Sequence, residues 1–291
     1  MMEFWGALTD PSFSFLRQAL LAGLLSAVAF GIMGTYVVAR KITYLAGAIA
    51  HCVLGGIGAA LYLRYRMNWA WLNPLYGAAI SAVLAAVILG RITLPRRGGG
   101  AGQAGHREDT VIGALWAVGM AIGVVFLART PTYADPMSYL FGNILLIGPQ
   151  DLKLIAILDA VVVLVAGLFY HKLLAVCFDP VFAGLRGLRV EIYYLLLLIL
   201  TALTIVLLVS VVGIIMVIAL LTLPAATAGH FTNRLWKMMA LASVFSMVFV
   251  TGGLAISYPR DLPAGATIIL LAAAVYLLVT LMRHRRRPAA R

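Results

Sequence analysis

Charge is what this 291-residue sequence lacks most: Asp, Glu, Lys and Arg make up 11% of it, against roughly a quarter in a water-soluble domain. Acidic residues are the scarcer sign, 10 against 22 Lys plus Arg, for a formal net charge of +12. With 63% AVILMFWYC and a mean hydropathy of +1.03, the chain has too little polar surface to coat a globule in water. Lipid is its solvent, and a soluble enzyme or binding domain is excluded. Cysteine is nearly absent. Cys52 and Cys177 are too few and too far apart for a disulfide framework or a Cys-rich metal site, and they leave the redox compartment open. Catalytic signatures are missing too: there is no G-x-x-x-x-G-K-(S/T) phosphate loop, no H-E-x-x-H pair and no G-x-S-x-G turn. Nor is any polar segment long enough to house a catalytic domain. Energy for work must therefore come from a gradient or from a separate subunit. The positive excess fits cytoplasmic loops and lipid headgroups, not a nucleic-acid partner. The N-terminus carries Glu3 and Asp10 where a signal peptide would be basic, and the apolar stretch after it outruns a signal core of roughly 7–15 residues, so no cleavage is expected.

What the sequence does have is long apolar runs. A bilayer core needs about 20 such residues per helix, and nine runs approach that length: 16–38, 44–63, 70–89, 110–128, 152–170, 192–212, 214–228, 236–256 and 263–282. The expected fold is all-α, a polytopic membrane bundle of 8–9 spans in one domain, 1–291. Run 214–228 is the weakest, being short, preceded by Gly213 and containing Pro224, which leaves the carbonyl near Leu220 without its helical partner. It is either a full span or a broken one. Basic residues divide 16 to 6 between alternate loops, which with nine spans puts the N-terminus outside and the C-terminus in the cytoplasm.

Three connecting segments stand out. Residues 98–105 (GGGAGQAG) compose a flexible cytoplasmic linker. Residues 131–149 hold an apolar run too short to cross a bilayer, suited to the membrane interface or to capping a cavity. In 178–190, Asp179 suits a helix N-cap, Pro180 the first helical position and Gly187 a stop, predicting a cytoplasmic helix of about two turns. Its Val181, Phe182 and Leu185 have no membrane to enter. They pack either on the protein's own underside or on a partner.

Ionisable groups inside a span cost about 2.5–3.5 kcal/mol on insertion scales, so those present are candidate functional groups. Two lie well inside: His51 and Asp159. His51 precedes Gly55, Gly56 and Gly58, which admit a close helix neighbour. It is either a neutral imidazole bonded to that neighbour or a metal ligand. The adjacent Cys52 offers a soft sulfur, but consecutive helical residues point about 100° apart. Asp159 serves either proton or cation movement, or is protonated and bonded to a Ser or Thr across a helix contact.

The run Gly34-Thr35-Tyr36-Val37-Val38-Ala39-Arg40-Lys41-Ile42-Thr43-Tyr44, followed by Ala50-His51, resembles the opening motif of the membrane subunits of bacterial ABC importers for zinc, manganese or iron. Similar stretches follow in order at 108–113 (EDTVIG), 139–145 (YLFGNIL), 202–205, 219–228 (ALLTLPAATA), 251–254 and 262–265. Each is weak alone, but together they cover nearly the whole chain. The resemblance implies a permease of the bacterial inner membrane that works as a homodimer by alternating access. Each copy would rest through a coupling helix on an ATP-binding cassette subunit, and an extracytoplasmic binding protein would deliver the metal. The chain itself would not be an enzyme and would hold no resident cofactor, with ATP consumed on the partner. On this reading Asp179, Pro180, Val181, Phe182, Leu185 and Gly187 form the coupling segment. His51 matches the family's second-helix histidine and takes a metal-path role, with Cys52 and Asp159 as a candidate secondary path. One departure stands out: where the family often carries an aspartate four residues before that histidine, this chain has Gly47. Nitrogen and sulfur donors without a carboxylate suit zinc better than manganese, so zinc is expected ahead of manganese or iron. The rivals are a gradient-driven secondary transporter using Asp159, an ABC permease for a metal chelate, and a membrane-embedded enzyme with an unusually sparse catalytic set.

Overall fold

The computed structural model describes residues 6, 13–69, 71–93, 101–131 and 147–285. Every regular element among them is helical. In chain order these are α1 (Ser14–Ala39), α2 (Thr43–Arg66), α3 (Pro74–Thr93), α4 (Ala101–Arg129), α5 (Pro149–Leu168) and α6 (Tyr170–Phe178). They are followed by α7 (Pro180–Leu185), α8 (Val190–Val212), α9 (Ile214–Gly229), α10 (Leu235–Ser257) and α11 (Ala264–Arg285), with a 3-10 turn at Tyr258–Arg260.

Each apolar run corresponds to a helix. Seven helices are long and apolar enough to cross a bilayer: α1, α2, α3, α4 from Asp109, α8, α10 with its 3-10 turn, and α11. Helices α5 and α6 qualify only as a broken pair, because Asp151, Lys153 and Asp159 dilute α5 and the helix stops at Leu168. Helix α9, at 16 residues, is shorter than a full span but runs unbroken through Pro224. Positive φ at Gly213 (+85°), a conformation open to glycine, lets the chain pass from α8 to α9 without a loop. One local expectation changes. Residues 101–105 are helical rather than a linker, since adding turns to an established helix costs far less than nucleating one; 94–100 fall outside the described residues. Cys177 is buried in α6.

The helices form two compact units, Met1–Val38 with Phe141–Leu168 and Val211–Arg291, and Ala39–Leu140 with Phe169–Ser210. In the first, α1 packs through glycines: Gly23 faces Val250, Gly31 the backbone of Ser243, and Gly34 the carbonyl of Leu221. Three hydroxyls buried in this unit bond back to their own helix, Ser26 to the Ala22 carbonyl, Thr35 to Gly31 and Thr227 to Leu223, each at 2.7 Å. None of these three needs an outside partner.

In the second unit α2 is wedged between α3 and α4. Gly56 and Gly77 press backbone on backbone between α2 and α3. On the other face a Cβ at Gly55 would stand 2.8 Å from the Gly119 carbonyl oxygen, and one at Gly58 2.6 Å from that of Gly123. Small residues at this spacing let helices touch in lipid, where dispersion replaces the hydrophobic effect. Helix α3 is tied to α8 by a 3.0 Å hydrogen bond between the Thr93 and Tyr194 hydroxyls, and the Arg40 guanidinium lies 5.6 Å over the Tyr194 ring.

Candidate functional site

Tyr44, Gly47 and His51 follow at i, i+3 and i+7, one face of α2. That face meets one side chain of α4, Trp116. The His51 imidazole stacks on the indole with centroids 4.4 Å apart and planes 25° apart, and the Tyr44 ring lies 5.8 Å away on the same indole. Between them Gly47 leaves room: a Cβ there would stand 2.6 Å from indole Cζ3 and 3.1 Å from Cη2. His51 is 8% exposed, and its Nδ1 is buried with no hydrogen-bond partner among the described residues. The neighbouring helix thus gives His51 a ring face and no hydrogen bond. A buried polar atom left so costs about 1–3 kcal/mol.

Cys52 points elsewhere. Its thiol donates to the Leu115 carbonyl at 3.5 Å, and it lines a cavity of about 560 Å³ between α2, α3 and α4. That cavity is walled mainly by small and apolar residues such as Gly56, Gly77, Ile80 and Leu84, and His51 is not among its lining residues. It suits hydrocarbon, not an ion. Asp159, on α5, belongs to the other unit. It is buried, neither carboxylate oxygen makes a hydrogen bond of normal geometry among the described residues, and the Ala29 backbone is a polar neighbour. Among the described residues no Ser or Thr bonds to it, as a structural role would require. Among the described residues no three His, Cys, Asp or Glu side chains gather closely enough to hold a metal. The imidazole face of α2 thus offers a single nitrogen donor, with no pair of further His, Cys, Asp or Glu side chains beside it among the described residues.

The 178–190 segment folds as its residues demand. The Asp179 carboxylate accepts the Phe182 N–H at 2.9 Å, Pro180 opens α7, and Gly187 closes it with φ +81°. Leu188 N–H reaches the Ala183 carbonyl at 3.1 Å and Gly187 N–H that of Gly184 at 3.0 Å, the paired bonds of a Schellman stop. The Arg186 guanidinium sits 4.8 Å over the Phe182 ring. Ala183 is buried, while Val181 is 72%, Phe182 49% and Leu185 83% exposed. Helix α7 thus rests on the chain through Ala183 and leaves Val181, Phe182 and Leu185 facing away from it.

Trp116 was invisible as a site residue in the sequence, because an aromatic in an apolar run carries no mark of its partner. The segment around 139–145 lies outside the described residues, as does most of 131–149.

A family model described as the ABC 3 transport family matches residues 12–283. The chain is 41% identical to an uncharacterized membrane protein of Synechocystis sp., over 94% of this chain and 92% of that one. It is 33% identical to the manganese transport system membrane protein MntC of Listeria monocytogenes, again over 94% and 92%. Among solved structures it matches a chain of PsaBC from Streptococcus pneumoniae in complex with Fab, with a TM-score of 0.81 and 30% identity over 96% of this chain and 94% of that one.

Proposed function

Since this chain belongs to the ABC 3 transport family, as a multi-pass permease subunit of metal transport systems and not an enzyme, we propose that it forms the membrane path of an ATP-driven importer of divalent metal ions. Two copies work about a twofold axis in the bacterial inner membrane, C-termini in the cytoplasm, so that each contributes one His51 to a shared path. A binding protein delivers the ion from outside. An ATP-binding cassette subunit grips the exposed Val181, Phe182 and Leu185 of α7 and turns the path between the two copies from outward to inward facing.

The observation that carries this reading is the His51 imidazole, buried in a span with an unspent Nδ1. The names of relatives such as MntC argue for manganese. The local donor set, nitrogen with no carboxylate on the same helix face, argues for zinc, and zinc is the ion proposed here. The test is ATP-dependent uptake of zinc, manganese and iron into vesicles holding this chain, its ATPase partner and the binding protein. His51→Ala should lower uptake of the preferred ion by about 10- to 100-fold, and unchanged uptake would remove His51 from the path. Uptake by this chain with no ATPase present would refute the ATP-driven mechanism itself.

A further inference from the structure

Position 47 is one helical turn from His51, and a side chain there shares the imidazole's face of α2. It is the place on that helix from which an oxygen donor would join His51 on one ion. The indole of Trp116 fills it, since even a lone Cβ at residue 47 would stand 2.6 Å from Cζ3. The indole is held in place by the Tyr44 ring at 5.8 Å and the His51 ring at 4.4 Å. Gly113 lies beside the Tyr44 hydroxyl, where a Cβ would stand 3.6 Å away in ordinary van der Waals contact. Tyr44, Gly47, His51, Gly113 and Trp116 therefore form one packed unit whose chemistry is aromatic and nitrogenous, with no carboxylate in it.

We propose that Trp116 determines ion preference: by occupying the space beside Gly47 and covering one face of His51, it denies the imidazole an oxygen co-ligand and biases the path toward zinc over manganese. The proposal rests on the metal-import reading above. Physically it is selection by exclusion, because manganese binds best where carboxylate or carbonyl oxygens gather, while an imidazole suffices for zinc's transient hold.

The experiment uses the complete transporter in vesicles and reads the ratio of zinc to manganese uptake. In Gly47→Asp/Trp116→Ala the carboxylate gains both the position and the space, and the ratio should fall about tenfold through gained manganese uptake. Trp116→Gln, which keeps Gly47 and brings an amide oxygen into the indole's place, should move it in the same direction. Trp116→Phe, which keeps a ring there, should hold the wild-type ratio. A ratio unmoved in either oxygen-bearing variant, with the complex assembled and uptake measurable, would overturn the proposal. The steric premise has its own readout: Gly47→Ala should lower Tm in the Trp116 background and spare it in the Trp116→Ala background. Equal losses in both would overturn it even if the transport variants failed to assemble. A wild-type complex that moves neither ion would instead bring down the import reading.

Discussion

The cap on α7 offers the sharpest test of the coupling mechanism, because one hydrogen bond organises a six-residue helix. In Asp179→Ala the Phe182 N–H loses its 2.9 Å acceptor, a loss of about 1 kcal/mol for an N-cap at the surface. A helix this short has no cooperative reserve to absorb that. The ratio of formed to unformed segment should therefore fall about fivefold, lowering the apparent affinity for the ATPase subunit and the rate of ATP-driven uptake by up to that factor. Asp179→Asn retains a capping oxygen and should behave as wild type. The membrane bundle should unfold at the same temperature in both variants, since the bond is exposed and the helices around it do not depend on it. Val181→Asp with Leu185→Asp completes the series: at 72% and 83% exposure neither charge disturbs the free protein, yet each would have to be buried against the partner. Co-purification of the ATPase subunit and uptake in vesicles are the measurements. If the alanine and asparagine variants match each other and wild type, or if the double aspartate still retains the ATPase, α7 is not the grip.

Two further predictions follow from packing and from Asp159. Gly56 lies against the backbone of Gly77, so Gly56→Val must push α2 and α3 apart and should cost about 1–3 kcal/mol, seen as a lowered Tm in detergent. Gly167, in α5 with nothing within 4 Å of its Cβ position, should accept alanine and gain up to about 1 kcal/mol; a loss at 167 equal to that at 56 would discredit the packing argument. Asp159→Asn preserves the shape of the buried side chain and should leave uptake intact, including when the proton gradient is collapsed by a protonophore while ATP is supplied. Uptake that fails in either condition would revive a gradient-driven mechanism through Asp159.

The aromatic unit around His51 also accounts for the departure at residue 47. From the sequence, Gly47 reads as a missing acid. In the fold it is a filled position: the volume an acidic side chain would take belongs to Trp116 of α4. A side chain at residue 47 and the indole at 116 thus compete for one space, although the two residues lie on different helices. The apolar cavity beside Cys52 is a separate feature, since that thiol is turned to the Leu115 carbonyl and away from the imidazole.

Hydropathy and capping operate along the chain, so the sequence alone settled whatever depends on them. The apolar runs became helices, Asp179 and Gly187 bound the short helix α7, and His51 and Asp159 were marked as costly by their surroundings in the run. Pro224 warned of a disturbed span, although α9 passes through it unbroken. What the sequence could not supply was which helix lies against which. Cys52 and Leu115 are 63 residues apart, and only the close approach of α2 and α4 brings them, and with them Gly47, His51 and Trp116, into contact. The stop at Leu168, the burial of Cys177 and the helical start at Ala101 likewise depend on more than local composition. In lipid every apolar helix face is equally content with a hydrocarbon neighbour, so hydropathy carries no information about partners. Shape decides instead, glycine against backbone and indole against glycine, and shape exists only once the helices have packed.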